Sequence, residues 1–140
     1  MDMQTQISYA ERNGKAISLM IVKLRYPKEM KAVLKKNQYN KVVKGLSKLI
    51  CDTVRLEDKV YSIDQEGKFA ILLTCDKMGC RLVEGRLRGK IDRPEWLAGI
   101  SDKPIRGEVK IGYIEYSKDT FNRDAAGFLA AVEEEVEFDV

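Results

Sequence analysis

Histidine is missing from this chain of 140 residues, and cysteine is scarce. Histidine is the commonest general base near neutral pH and a frequent zinc ligand, so its absence leaves catalysis to carboxylates or thiols. The cysteines, Cys51, Cys75 and Cys80, lack the spacing of metal-ligand pairs. Their odd number favours a reducing compartment. We therefore expect a cytoplasmic location, either free or as the soluble part of a membrane-anchored protein.

Long apolar runs and blocks of one charge are also absent. The longest apolar run, ISLMIVKL, is far too short to cross a bilayer, so we expect no direct membrane insertion. The 25 basic and 22 acidic side chains give a net charge of only +3 and are interspersed, which argues against a nucleic-acid partner. The length and the 44% hydrophobic content suit one globular domain over residues 1–140. We expect this domain to belong to a longer protein.

Hydrophobic periodicity predicts the order helix, strand, helix, helix, hairpin, helix, strand, helix. This order is typical of a ferredoxin-like α+β fold, in which helices cover a mixed sheet with a central hairpin. The nearly continuous apolar run over residues 17–24 predicts a strand that is buried on both faces. The other predicted elements are helices over 4–13, from Pro27, over 37–54 and over 76–91, strands over 59–63, 68–73 and 108–116, and a last helix starting at Asn122 or Asp124.

Helical spacing also predicts which side chains face the core. The predicted stripes are Met30, Val33 and Leu34 on the second helix, and Met78, Leu82, Leu87 and Ile91 on the helix after the hairpin. Trp96, the only tryptophan, is expected to fold back on the core as a hydrophobic lid.

The hairpin turn, Asp64-Gln65-Glu66-Gly67, contains two carboxylates. Such a pair suggests metal ligands, but a polar turn whose glycine adopts a positive φ is a common hairpin connection. We favour the plain turn, because two carboxylates alone leave a metal with too few ligands.

The element order, together with the phrases ERNGKAISLMIVKL, RLEDKVYSIDQEGKFAILL, VEGRLR and VKIGYIEY, resembles the GGDEF domain family. Active members of that family are bacterial diguanylate cyclases. The resemblance covers almost the whole chain and implies the nucleotide-cyclase palm fold and a place in cyclic di-GMP signalling.

Most of the family's catalytic and nucleotide-binding positions are changed here, so the resemblance is to a degenerate member. Active cyclases hold two divalent metals with an aspartate at the end of the first strand and a Gly-Gly-Asp/Glu-Glu-Phe turn. In a gapless alignment the aspartate position and its neighbour two residues on fall at Lys23 and Arg25, and only Phe69 keeps its place in the turn. The guanine-recognising positions fall near Lys31 and Asn40. We therefore expect no enzyme activity and no cofactor or metal.

The family's inhibitory site is better preserved than its catalytic site. That site is an Arg-x-x-Asp before the signature turn, completed by an arginine on the following helix. Here Arg55 and Asp58 keep the spacing, and Arg88 lies about where the second arginine is expected. The resemblance therefore implies a cyclic di-GMP receptor. The alternative is that Arg55 and Asp58 pair with each other and that the domain is a nucleotide-free interaction module for an adjacent domain, a partner protein or a homodimer.

Lysines dominate one face of the second and third helices: Lys28, Lys31, Lys35, Lys36, Lys41, Lys44 and Lys48. Such a face can attract an acidic partner or a nucleotide phosphate. We favour a solvated face, because charged residues usually occupy the side of a helix opposite its apolar stripe.

Overall fold

The computed structural model describes residues 3–117 and 125–137. Within these ranges the predicted order of elements is confirmed. The start predicted for the last helix, at Asn122 or Asp124, lies outside them. The elements are α1 (Met3–Arg12), β1 (Ser18–Leu24), α2 (Pro27–Val33), α3 (Lys36–Thr53), β2 (Lys59–Ser62), β3 (Lys68–Leu73), α4 (Lys77–Ile91), a short 3₁₀ helix (Pro94–Leu97), β4 (Val109–Glu115) and α5 (Ala125–Glu137).

The strands form one four-stranded sheet in the order β2-β3-β1-β4. This arrangement confirms the predicted α+β, ferredoxin-like class. The prediction of a mixed sheet was wrong, because every neighbouring pair is antiparallel. The reason is that each helical crossover joins two parallel strands that are not neighbours. The helices α2 and α3 connect β1 to β2, and the antiparallel strand β3 lies between these two. In the same way α4 connects β3 to β4, and the antiparallel strand β1 lies between these two.

β1 is buried on both faces, as its apolar run predicted. Its alternate side chains serve two separate cores, because successive residues of a strand point to opposite faces. Met20, Val22 and Leu24 pack with α2, α3 and α4. Leu19 and Ile21 pack with α1 and α5 on the other face. The molecule therefore has three layers, with helices on both sides of the sheet.

Two predicted apolar stripes need correction. Val33 is 48% exposed, so only Met30 and Leu34 of the stripe predicted for the second helix are buried. On α4, Met78 and Leu82 are 69% and 64% exposed. Leu87 and Ile91 face the core as predicted, and Cys80 joins them. At about 100° per residue, Met78 and Leu82 lie on the opposite side of the helix from Cys80, which was not counted as part of the stripe.

Trp96 packs against the core on the α3 and α4 side of the sheet, as predicted. Its indole Nε1 donates a hydrogen bond of 3.0 Å to the carbonyl oxygen of Ile91 at the end of α4. The bond satisfies the polar atom of a half-buried ring and fixes the loop before β4.

Candidate functional site

The turn between β2 and β3 is held by its own first carboxylate. Asp64 Oδ1 accepts hydrogen bonds from the backbone N–H groups of Glu66, at 2.8 Å, and Lys68, at 3.2 Å. Gly67 has a φ of +104°, and a Cβ there would lie 2.6 Å from Leu24 Cδ1. Asp64 and Gly67 therefore serve the turn itself, in agreement with a plain polar turn.

The second carboxylate of the turn is also engaged. Glu66 Oε1 lies 2.9 Å from Lys31 Nζ. The carbonyl oxygen of Glu66 accepts a 2.5 Å hydrogen bond from the Tyr39 hydroxyl. Burial, followed by the charge of Glu66, raises the pKa of Tyr39, so the phenol stays protonated and continues to donate this bond.

A cleft of about 430 Å³ opens beside this turn, at the end of β1. Cations dominate its wall, and Asp64 and Glu66 are its only carboxylates among the described residues. Divalent metals need several oxygen ligands, which ammonium and guanidinium groups cannot supply. The residues at this corner therefore do not suit the two metals that active members of the GGDEF family hold. The cationic side chains of the wall are Lys23, Arg25, Lys28, Lys31, Lys68 and Lys110.

Among the residues that the structure describes, no three side chains of histidine, cysteine, aspartate or glutamate are grouped to hold a metal ion. None of the described helices is long and apolar enough to cross a membrane.

The structure brings Arg55 and Asp58 together in a second, smaller cleft near the start of β2. Asp58 Oδ2 accepts from the Arg55 backbone N–H at 2.9 Å. Asp58 Oδ1 accepts from the backbone N–H and the hydroxyl of Thr74, at 3.0 and 3.1 Å. The carboxylate thus joins the corner after α3 to the end of β3. Asp58 caps this corner through backbone bonds, while the Arg55 side chain lines the cleft.

Arg86, which was not predicted from the sequence, lines the same cleft. With Leu82 and Val83 it lies at helical spacing on the side of α4 that faces Arg55. Arg88 is not among the lining residues, and its Nε donates to Glu84 Oε2 at 3.1 Å within α4. A ligand-binding role for Arg88 stays a prediction.

The volume of this second cleft is only about 50 Å³. A nucleotide base cannot enter so small a volume. A ligand would therefore lie across the surface between Arg55 and Arg86, where a guanidinium fork can meet a phosphate or a guanine edge.

The cysteines near this cleft are not suited to nucleophilic chemistry. Cys75 and Cys80 have their sulfur atoms 4.0 Å apart. Burial, followed by the charge of Cys80, raises the pKa of Cys75 to about 12. Burial also raises the pKa of Cys80. Both thiols are therefore protonated at neutral pH, and the thiolate is the reactive form.

A scan against protein-family models and a search of curated sequences each found no match. Solved structures do match. The GGDEF domain of TpbB (YfiN) from Pseudomonas aeruginosa superposes with a TM-score of 0.81 at 16% identity, over 98% of this chain and 78% of that one. The GGDEF domain of DgcB from Caulobacter crescentus, solved with cyclic di-GMP, gives 0.78 at 11% identity, over 96% and 78%. The diguanylate cyclase SiaD from Pseudomonas aeruginosa, solved with its activator SiaC, gives 0.66 at 16% identity, over 94% and 52%.

These neighbours establish the fold of the chain as the GGDEF, nucleotide-cyclase palm fold. Identities of this size carry no information about catalysis. Function therefore has to be argued from the two clefts, since one fold hosts many functions.

Proposed function

We propose that this domain is a catalytically inactive regulatory domain with the GGDEF fold. The observation that supports inactivity is the cationic wall at the end of β1, where Lys23 and Arg25 stand. Phosphoryl transfer on this fold needs metal ions to neutralise charge between attacking and leaving oxygens. Fixed positive side chains repel those ions and offer them no ligand.

The test of inactivity is incubation of the purified domain with GTP and Mg²⁺ or Mn²⁺. We expect no cyclic di-GMP above a no-protein control, measured by chromatography. Any enzyme-dependent product that disappears when GTP is replaced by a non-hydrolysable analogue would contradict the proposal.

We further propose that the domain is a cyclic di-GMP receptor through the surface between Arg55 and Arg86, with Asp58 fixing the corner that carries Arg55. Support comes from the convergence of the two arginines on one cleft. Arginine forks bind phosphates and guanine edges bidentately. The structural neighbour DgcB, which was solved with cyclic di-GMP, makes this ligand the natural one to test.

Calorimetric titration with cyclic di-GMP tests the receptor proposal. Arg55→Ala and Arg86→Ala should each weaken binding about thirtyfold, the loss typical of a charge-assisted bidentate contact of about 2 kcal/mol. Arg88→Ala is the matched control on the same helix and should have a smaller effect. If it weakens binding as much as Arg86→Ala does, Arg88 contributes to the site as the sequence predicted. Glu66→Ala, in the other cleft, should leave affinity unchanged. No heat at high micromolar ligand would refute the receptor.

A protein partner is the second candidate, and exposed apolar side chains beside the same cleft favour it. Leu56, next to Arg55, is 98% exposed, and Leu82 lines the cleft. Met78 lies one turn before Leu82 on α4 and is also exposed. The occupant tested first is a second copy of the chain. Light scattering should then show a concentration-dependent dimer that Leu82→Glu abolishes, whereas a monomer at every concentration would remove this candidate.

A further inference from the structure

Two of the three cysteines are in contact at the junction between β3 and α4. Cys75 precedes Asp76, the N-cap residue of α4, and Cys80 lies in the first turn of that helix. Their sulfur atoms are 4.0 Å apart. A disulfide bond is about 2.05 Å long, so the two sulfur atoms would have to approach each other by about 2 Å. Rotation about the Cα–Cβ bonds supplies movements of this size.

The backbone on both sides of this contact is held by groups other than the thiols. The hydroxyl of Ser18 on β1 donates a hydrogen bond of 2.7 Å to the carbonyl oxygen of Cys75. The backbone N–H of Cys80 donates to the carbonyl oxygen of Asp76 at 3.1 Å. The fold therefore keeps the two cysteines together before any bond joins them, and such positioning speeds an intramolecular reaction.

Gly79 allows the close approach of the two side chains. A Cβ built on Gly79 would lie 2.6 Å from Cys75 Cβ and 2.8 Å from Cys75 Sγ. A larger residue would displace the Cys75 side chain from the first turn of α4, where Cys80 lies. Glycine lowers the stability of a helix, so the room for Cys75 comes with a loss of helix propensity.

We propose that Cys75 and Cys80 form an intramolecular disulfide when the domain meets a low-molecular-weight disulfide such as oxidised glutathione. The Cys75 thiolate first attacks one sulfur of oxidised glutathione and releases one glutathione thiolate. The Cys80 thiolate then attacks the Cys75 sulfur of this mixed disulfide and releases the second glutathione thiolate. In total the two cysteines lose two protons and two electrons, and oxidised glutathione becomes two molecules of glutathione.

The order of the two steps follows from the positions of the thiols. Cys75 is partly exposed and lines the cleft of Arg55 and Arg86, whereas Cys80 is buried. Cys75 therefore meets the oxidant, and Cys80 meets only Cys75. The inference does not rest on the receptor proposal, because it requires no ligand in the cleft.

The surroundings of Cys75 make this a slow and persistent modification. Burial, followed by the neighbouring Cys80 and the charges of Asp58 and Asp76, raises the pKa of Cys75 to about 12. Little thiolate is therefore present at neutral pH, and the first step is slow. The same surroundings do not stabilise the thiolate form of the reduced pair, and a pair without that stabilisation holds its disulfide more firmly against reduction.

Mass spectrometry of the Cys51→Ser variant is the primary test, since this change removes the exposed thiol. The folded variant is treated with oxidised glutathione at pH 8.5, and the remaining thiols are then labelled with iodoacetamide in denaturant. We expect an unlabelled protein that has lost two hydrogen atoms, and a digest in which the peptides of Cys75 and Cys80 are linked. Adding Cys75→Ser should leave Cys80 free to take one label. Two labels after prolonged treatment, a glutathione adduct as the final product or a covalent dimer would overturn the inference.

A pair of glycine variants tests the geometry of the contact. Gly79→Ala should slow disulfide formation about tenfold or more, because the added methyl group displaces Cys75. Gly85→Ala, in the same helix, is the matched control, since a Cβ there meets nothing within 4 Å, and it should react at the rate of the parent. Equal rates in the two variants would contradict the arrangement on which the inference depends.

The pH dependence of the rate and the thermal stability show whether the disulfide forms in the folded protein. The rate should rise about tenfold per pH unit between pH 7 and 9, because the thiolate fraction of Cys75 rises in that proportion below its pKa. The oxidised protein should unfold about 5 °C higher, because the closed loop restricts the unfolded chain. A rate that does not depend on pH, or an unfolding temperature that falls on oxidation, would show that the disulfide forms only in the unfolded chain and would overturn the inference.

Discussion

Asp58 and Asp64 show how a motif residue acquires its role from its immediate partners. Each of these carboxylates accepts hydrogen bonds from backbone N–H groups close to it. The donors are Arg55 and Thr74 for Asp58, and Glu66 and Lys68 for Asp64. Carboxylates held in this way stabilise turns, because they satisfy donors that would otherwise lack partners.

Asp58→Ala should lower the free energy of unfolding by about 2 kcal/mol, since it removes the acceptor of three hydrogen bonds around Thr74 and Arg55. Urea denaturation measures this change. Asp52→Ala, at an exposed position near the end of α3, is the control and should stay within about 0.5 kcal/mol of the parent. Equal stabilities of the two variants would show that the corner does not depend on Asp58.

The cysteines should differ in reactivity. At pH 8 Cys75 is protonated, because burial raises its pKa to about 12, and Cys80 is buried. Cys51 is exposed. Brief treatment of the native domain with iodoacetamide should therefore add one label, at Cys51, and treatment in denaturant should add three, as read by mass spectrometry. Labelling of Cys75 in the native protein would contradict the raised pKa of its partly buried thiol.

At the scale of elements, α5 is tied to the sheet by close packing as well as by ion pairs of Glu133 and Glu137 with lysines of the strands. A Cβ built on Gly112 of β4 would lie 2.6 Å from the Cα of Val136, so the backbones of β4 and α5 meet there without room for a side chain. Phe128, Val132 and Val136 fill the adjoining core. The position of α5 over the sheet therefore depends on a glycine.

Gly112→Ala should destabilise the domain by about 2 kcal/mol or more. The added methyl group would clash with the backbone of Val136, which cannot move aside as a flexible side chain could. Gly85→Ala is the matched control within α4, where a Cβ meets nothing within 4 Å. The free energy of unfolding of that variant should rise by about 0.5 to 1 kcal/mol, because alanine has a higher helix propensity than glycine. Thermal unfolding of the two variants measures whether each stability rises or falls. An unchanged stability of Gly112→Ala would mean that α5 lies farther from β4 than the structure shows.

The attachment of α5 should also depend on pH. The hydrogen bond from Lys23 makes the pKa of Glu137 lower in the folded state than its ordinary value of 4.5. A carboxylate whose pKa is lowered by folding stabilises the folded state at any pH above its pKa in the unfolded chain. This contribution is lost as the pH falls through the lower pKa of the folded state. Stability should therefore fall more steeply below about pH 4.5 in the parent than in Glu137→Gln, with Glu134→Gln as the control variant. Parallel pH profiles of parent and Glu137→Gln would contradict this linkage.

At the scale of the whole molecule, β1 connects the two cores. Its side chains alternate between them, and its backbone is bonded to both β3 and β4. One core cannot lose β1 without exposing the other, which is the physical basis of a single cooperative unit.

We therefore expect one unfolding transition in urea. Trp96 fluorescence reports the core on the α3 and α4 side, and far-ultraviolet circular dichroism reports all helices, including α1 and α5. The two midpoints should coincide. An early loss of helix signal before the fluorescence change would indicate that α1 and α5 form a separate unit, in disagreement with the single domain predicted from the sequence.

The sequence by itself determined the order of elements, the burial of β1 on both faces and the turn at Gly67, because each depends on local periodicity or local backbone geometry. It also located Arg55 and Asp58, which are close in the chain. Only the tertiary structure decided that the sheet is antiparallel throughout, that Arg86 lies in the cleft of Arg55 and that α5 covers lysines of three neighbouring strands. These features depend on which strands become neighbours and on the phase of a helix against the sheet, and both are set by long-range packing that no local pattern contains.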